Sequence, residues 1–340
     1  MGKRETVIKF CSNLVHRLWW WLALHLAVSA LCTVLVRRYA LHHNLIDLPG
    51  ERRSHIRATP RGGGLGIVVA LCVGGALASY YRPDLRWAIA LTCAGLILVA
   101  SIGWLDDHRS LSVRPRLVVH AAASILLSYV VYTASQRFSY CLLSFFASMV
   151  LINIWNFMDG INGLAVSQAG LVAFAYAWVL PSPYNYIGYA VTSACAGFLP
   201  YNFPRARIFL GDCGSGALGY LLSVCFAACV VNAKITLWTS WFPMTAFLCD
   251  AGLTLCNRMW AKQAWWKPHT QHLYQRAAFY YQSHSVVTGI YFVFSLISGY
   301  MFINTSSLQY AQSALISISW SIMASVLWAA VRRKLIMNKD

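Results

Sequence analysis

Asn153, Asn156 and Asp159 recur at every third position in Asn153-Ile-Trp-Asn156-Phe-Met-Asp159-Gly160-Ile-Asn162-Gly163. On a helix that spacing lines one face, and the run emerges from an apolar segment, Tyr140 to Ile152. Gly160 and Gly163 then permit a tight turn that brings backbone N–H groups close to a ligand. A carboxylate, two carboxamides and a glycine turn suit a phosphate carried with Mg²⁺, an ion that takes few protein oxygens and shares those of the ligand. Asn and Gly also close ordinary helices as cap residues. What favours chemistry over a simple helix end is that other polar clusters sit at matching depth.

The first is Asp106-Asp107, in Gly103-Trp-Leu-Asp106-Asp107-His-Arg109, with Arg114 and Arg116 following. Two adjacent carboxylates at the end of an apolar run are costly unless cations or a metal face them. Such a pair can organise Mg²⁺ and take a proton, beside arginines that hold phosphate. Its bland alternative is a solvated loop with local ion pairs. The second is Arg207-Ile-Phe209-Leu-Gly211-Asp212-Cys-Gly214-Ser215-Gly216, a glycine turn opening an apolar run. A helix N-terminus there offers free N–H groups to an anion. Asp212 would repel that anion unless a cation lay between, which points to Asp212 as a metal ligand. The Gly-Lys-Ser/Thr ending of a P-loop is absent.

Three further stretches stay open on the residues alone. Thr59-Pro60-Arg61-Gly62-Gly63-Gly64-Leu65-Gly66 allows either close helix packing or close approach of a ligand. His269 and His272 have metal-like spacing in Lys267-Pro-His269-Thr-Gln-His272-Leu-Tyr274-Gln-Arg276, but no Cys or carboxylate completes a zinc set, so anion binding fits better. Asp250 lies in an apolar run, where an ionisable group is functional by default; Arg258, two turns on, offers it a structural partner.

The elements that must position these residues are membrane helices. Of 340 residues 59% are hydrophobic and only 11% charged, with a mean hydropathy of +0.55. Soluble domains carry about one quarter charged residues, so composition excludes a soluble fold. The expected class is all-α: a polytopic integral membrane protein, one domain over residues 1–340. About eleven spans are predicted, at 18–36, 63–80, 87–105, 117–133, 139–156, 165–180, 186–203, 215–232, 236–256, 286–304 and 310–331. The first follows Lys3, Arg4, Lys9 and Arg17 but is too long and bulky for a cleaved signal, so it reads as a retained helix. With alternating connections, nineteen of the 27 lysines and arginines fall on one face, which makes that face cytoplasmic. The N-terminal basic cluster opposes this orientation. All the polar clusters lie on the basic face, as expected of a protein acting there on a water-soluble ligand. The eleven cysteines sit mostly in apolar runs and call for no disulfides. The charge of +17 is loop charge, not a nucleic-acid signal.

Together, Asp47-x-Pro49…His55…Thr59-Pro60-x-Gly62-Gly63, Asp106-Asp107, Asn153-x-x-Asn156-x-x-Asp159-Gly160-x-Asn162-Gly163, Phe209-x-Gly211-Asp212-x-Gly214-Ser215 and the late His motif resemble the polyprenyl-phosphate N-acetylhexosamine-1-phosphate transferases, glycosyltransferase family 4. The resemblance covers residues 45–285, with five motifs in order. It implies a Mg²⁺-dependent reaction, with Mn²⁺ as a substitute ion. Undecaprenyl phosphate attacks the β-phosphorus of a UDP-N-acetyl sugar at the cytoplasmic face of a bacterial inner membrane, and UMP leaves. By position, Asp106, Asp107 and Asp159 resemble the catalytic carboxylates, Asp106 deprotonating or positioning the lipid phosphate. Asp212 and Asn156 resemble metal ligands, and Asn162 and Phe209 the uridine site. Arg116, His272 and Arg276 resemble phosphate-binding positions, and His269 and Tyr274 are candidates for contact with the donor sugar. A homodimer is compatible with the resemblance, and no nucleic acid is expected as a partner.

Three departures narrow the branch. Ser110 stands where a third Asp is common, Asn162 replaces the second Asp of Asp-Gly-x-Asp-Gly, and His272-Leu-Tyr274-Gln-Arg276 replaces His-x-His-His. The last form resembles the O-antigen-initiating, lipopolysaccharide-building branch, whose donors include UDP-N-acetyl-fucosamine and UDP-N-acetyl-quinovosamine. UDP-N-acetylglucosamine for another envelope glycan is the alternative. A nucleotide-sugar or lipid transporter is the rival class. It would need a midplane site and an internal repeat, neither of which the sequence offers.

Overall fold

The computed structural model describes residues 2–47, 58–233, 235–264, 269–306 and 308–337, with side chains from residue 18 onward. Pro49, Arg52, Arg53, His55 and Lys267 lie outside the described residues, and with them part of the first motif.

The chain folds into helices α1 Gly2–His42, α2 Leu65–Tyr81, α3 Arg86–His108, α4 Val113–Ser135, α5 Phe138–Phe157, α6 Leu164–Val179, α7 Asn185–Asn202, α8 Gly211–Asn232, α9 Thr245–Trp260, α10 Leu273–Tyr281, α11 His284–Thr305 and α12 Tyr310–Met337. A two-residue antiparallel ladder, β1 Ile46–Asp47 with β2 Thr59–Pro60, pairs Asp47 with Thr59. Seven helices (α1, α3, α4, α5, α8, α11 and α12) are long and apolar enough to cross a membrane, while α2 and α6 are apolar but shorter. The protein is therefore a multi-pass, all-helical membrane protein.

Each predicted span lies in a helix, with one change of boundary. Residues 237–241 are turns and Phe242–Met244 a short 3₁₀ segment, so α9 starts only at Thr245. Pro243 has no N–H to give a helix there, and Ser240 and Thr245 bond back to the Leu237 and Phe242 carbonyls instead. The long basic connection after α9 contains the additional helix α10.

Helix α8 is the centre of the bundle. Of its most apolar window 78% is buried, against 17% for that of α12. It packs on α3, α5 and α6 and touches α2 and α4. Small residues make this possible: a Cβ on Gly64 at the start of α2 would fall on the Gly214 backbone of α8. The glycine run before α2 is thus a packing device. The ends of α3 and α5 and the start of α8 meet at one end of the bundle, where the polar clusters gather.

Candidate active site

The end of α3 and the start of α8 build the acidic centre. Arg116, on the first turns of α4, bridges two carboxylates: its Nη1 donates to Asp106 Oδ2 at 2.5 Å and its Nη2 lies 3.2 Å from Asp212 Oδ2. Asp106 Oδ1 also accepts from Leu111 N at 2.6 Å, which closes the turn between α3 and α4. Arg116 was expected on phosphate; here it holds the two carboxylates in register.

Asp107 has a different job from its neighbour. It is 2% exposed, and its two oxygens accept from the backbone N–H groups of Asp212 and Cys213, each at 3.2 Å. A carboxylate on α3 thus caps the N-terminus of α8, satisfying two of the donors that a helix leaves free. Arg61 Nε stands 4.0 Å from the same carboxylate. Gly211 is required for this approach: its φ is +76°, and a Cβ would lie 2.6 Å from Asp107 Oδ2 and 2.8 Å from Gly62 N. Asp107, expected among the catalytic residues, places Asp212 and does not face outward.

The turn after α5 supplies the third carboxylate. Burial, then the like charges of Asp212 and Asp107, push the Asp159 carboxyl well above the usual carboxylate range. Asn156 is half-buried one turn earlier, on the same face as Asp159, whereas Asn153 spends its amide on Met149 O at 2.7 Å. No group of three or more His, Cys, Asp or Glu side chains forms a metal cage among the described residues. The crowding of Asp159, Asp212 and Asp107, with few cations between them, still suits a divalent ion that takes part of its shell from a ligand's phosphates.

The glycine turn is tied to the loop before α8 by a residue that sequence reasoning missed. Asn202, 4% exposed at the end of α7, accepts from Gly163 N at 2.7 Å and donates to Ile208 O at 3.0 Å. A buried carboxamide closing an apolar run was its only signal. Asn162 donates to Pro204 O at 3.1 Å, and its carbonyl accepts from Thr288 on α11 at 2.8 Å. Phe209 is half-buried; its N–H donates to Pro60 O and its carbonyl accepts from Gly63 N. The two expected uridine residues therefore sit on linked loops.

The late motif folds as α10, and Asp250 holds it. Asp250 is 1% exposed and accepts from Leu273 N at 2.7 Å, Tyr274 N at 3.1 Å, Tyr291 Oη at 2.7 Å and Trp328 Nε1 at 3.3 Å. It caps α10 as Asp107 caps α8. Arg258, the expected partner, instead donates to Ala264 O at 2.8 Å.

Two expected ligand residues turn out to be enclosed. Tyr274, 1% exposed, donates through Oη to Phe157 O at 2.9 Å and packs on Gly160, so it supports the turn that carries Asp159 rather than lining an open pocket. His272, 3% exposed, has its ring stacked near Phe157 and Tyr274. Burial lowers its pKa, while Asp250 pulls the other way. His269 is pushed down to about 4 by burial, His272 and Arg258, and is neutral at pH 7. Arg276 is half-buried.

Known proteins resemble this chain in sequence. Residues 87–230, from α3 through most of α8, match the model of glycosyl transferase family 4. The chain is 28% identical over 290 residues to the probable undecaprenyl-phosphate N-acetylglucosaminyl 1-phosphate transferase of Bacillus subtilis, covering 78% of this chain and 79% of that protein. It is 30% identical over 226 residues to the decaprenyl-phosphate N-acetylglucosaminephosphotransferase of Mycolicibacterium smegmatis, covering 57% and 56%. It is 27% identical over 214 residues to the undecaprenyl-phosphate alpha-N-acetylglucosaminyl 1-phosphate transferase of Escherichia coli, covering 56% and 57%. The alignments thus span little more than half of the latter two relatives. With the motifs in order and the acidic centre assembled across α3, α5 and α8, these matches support the polyprenyl-phosphate hexosamine-1-phosphate transferases as the proteins this chain is similar to.

Proposed function

We propose that this protein transfers an N-acetylated hexosamine-1-phosphate from a UDP-sugar to undecaprenyl phosphate, releasing UMP. The observation that carries this reading is the convergence of Asp106, Asp212 and Arg116 at one end of the bundle, beside the turn of Asp159. Phosphoryl transfer asks a protein mainly for charge neutralisation and in-line positioning. Asp212, which faces the like charge of Asp159, is suited to hold Mg²⁺ together with Asn156 one turn before Asp159, and the ion when bound would neutralise the donor's diphosphate. Asp106, at a helix end with its side chain 9% exposed, positions the lipid phosphate or takes its proton, and Arg116 holds that carboxylate and Asp212 together against their mutual repulsion. Asn162 and Phe209 bound the side on which the uridine would lie. A transporter would move its ligand without releasing UMP.

The site faces the cytoplasm of a bacterial inner membrane in this reading, supported by the excess of basic residues on that side. Single cysteines at positions 110 and 270, on a cysteine-free background, are expected to resist an impermeant thiol reagent in intact cells. Labelling at either position would overturn the orientation.

For the donor we propose a 6-deoxy sugar and a role at the start of O-antigen assembly, supported by Tyr274 within the His-Leu-Tyr-Gln-Arg form of the late motif. The names of the relatives speak of N-acetylglucosamine instead, and that is the second reading. With purified protein and undecaprenyl phosphate, kcat/KM is expected to favour UDP-N-acetyl-quinovosamine over UDP-N-acetylglucosamine by about tenfold, the scale of one misfitted hydroxyl. Because Tyr274 holds the Phe157–Gly160 turn, Tyr274→His is expected to narrow that ratio through the turn and to lower kcat. Equal kcat/KM for the two donors would remove the 6-deoxy assignment.

A further inference from the structure

Three arginines crowd around α10, and among the described residues no carboxylate pairs with them. Arg258 is 7% exposed, uses Nη2 on the Ala264 carbonyl and leaves Nε buried without a partner. Arg276 Nε is also buried without a partner. Arg332 comes from the far end of the chain, near the end of α12, beyond every motif and beyond the matched family segment. With the Asn257 carboxamide turned to satisfy both groups, its oxygen accepts from Nη1 and Nη2 of Arg332 at 2.7 and 3.1 Å. The guanidinium carbon stands 4.8 Å from the Trp328 ring centroid, and Trp328 is itself fixed by Nε1 to Asp250.

Neutral groups therefore make the direct contacts to Arg332, while the charge of Arg276 repels it and that of Asp250 attracts it. The one carboxylate within reach, Asp250, is already committed to the α10 backbone, Thr254, Tyr291 and Trp328. Three guanidinium groups around one hydrogen-bonded carboxylate leave an excess of positive charge in a half-buried place, and an entering anion relieves it. The helix that the cluster surrounds packs on the turn of Asp159: Tyr274 of α10 donates to Phe157 O at 2.9 Å and lies against Gly160.

We propose that Arg332, delivered by the last membrane helix, is a binding residue for the diphosphate of the nucleotide-sugar donor, acting with Arg276 and Arg258 around α10. This rests on the transferase reading above. The shared chemistry is a phosphate anion, which the lipid acceptor also carries, so the test separates the two sources.

Full-length wild type, Arg332→Gln, Arg332→Lys and, as a control on the exposed neighbour, Arg333→Gln are assayed for UMP release, with donor and undecaprenyl phosphate varied in turn. Thermal melts confirm folding, which the half-exposed position of Arg332 should preserve. The expected result is a donor KM raised about tenfold in Arg332→Gln, partly recovered in Arg332→Lys, with lipid KM and the Arg333→Gln values within about twofold of wild type. An unchanged donor KM in folded Arg332→Gln would overturn the inference. So would a rise confined to the lipid KM, which would assign the cluster to the acceptor phosphate. If the wild type releases no UMP from any donor, the transferase reading itself fails; if it does and only Arg332→Gln behaves as wild type, this inference alone fails.

Discussion

Asp212→Asn is expected to abolish UMP release while leaving the protein folded. The side chain faces Arg116 at 3.2 Å and is about one third exposed, so no packing depends on it. The cap that Asp107 places on α8 uses the backbone N–H of residue 212, not its carboxylate, and survives the substitution. In the proposed reaction the substitution removes the charge that would face the phosphates and Mg²⁺, which should lower turnover by about a hundredfold to a thousandfold, the scale of removing one group that stabilises transferring charge. An unchanged melting temperature with no turnover at any magnesium concentration is the anticipated pair of results. Near-normal UMP release across a magnesium titration would remove Asp212 from the site.

Asp107→Ala should behave differently from its neighbour. It orphans two buried N–H groups at the start of α8, each costing about 1–3 kcal/mol, and removes a charge that favours the helix N-terminus. The expected result is a clearly lowered melting temperature together with loss of activity, because the displaced turn carries Asp212. Asp107→Asn keeps one accepting oxygen and should recover part of both. If Asp107→Ala melted as the wild type yet had no turnover, the residue would belong to the chemistry and not to the positioning of α8.

The helices were legible because long apolar runs leave few alternatives in hydrocarbon, and the polar clusters were legible because such residues are expensive at a membrane edge. What local reading could not reach were contacts made across the fold. Asp107 finds its donors 105 residues away and Asp250 finds one 23 residues away, so the first looked catalytic and the second seemed owed to Arg258. Helix α10, at nine residues, is too short for periodicity to separate it from a basic loop. Tyr274 looked like a wall of the donor pocket because its place in the motif was known and its enclosure was not. Residues 236–244 read as membrane helix on hydropathy, although Pro243 and the hydroxyls around it favour turns.

The reaction itself is tested most directly by following phosphorus. Purified protein is given undecaprenyl phosphate, Mg²⁺ and a UDP-N-acetyl sugar labelled with ³²P at the β-phosphorus, and lipid and aqueous phases are separated. Attack at the β-phosphorus carries the label into the lipid as a sugar diphosphate and leaves unlabelled UMP in water. Label remaining in the water as UDP, with unlabelled sugar on the lipid, would mean glycosyl transfer at carbon and would contradict the proposed function.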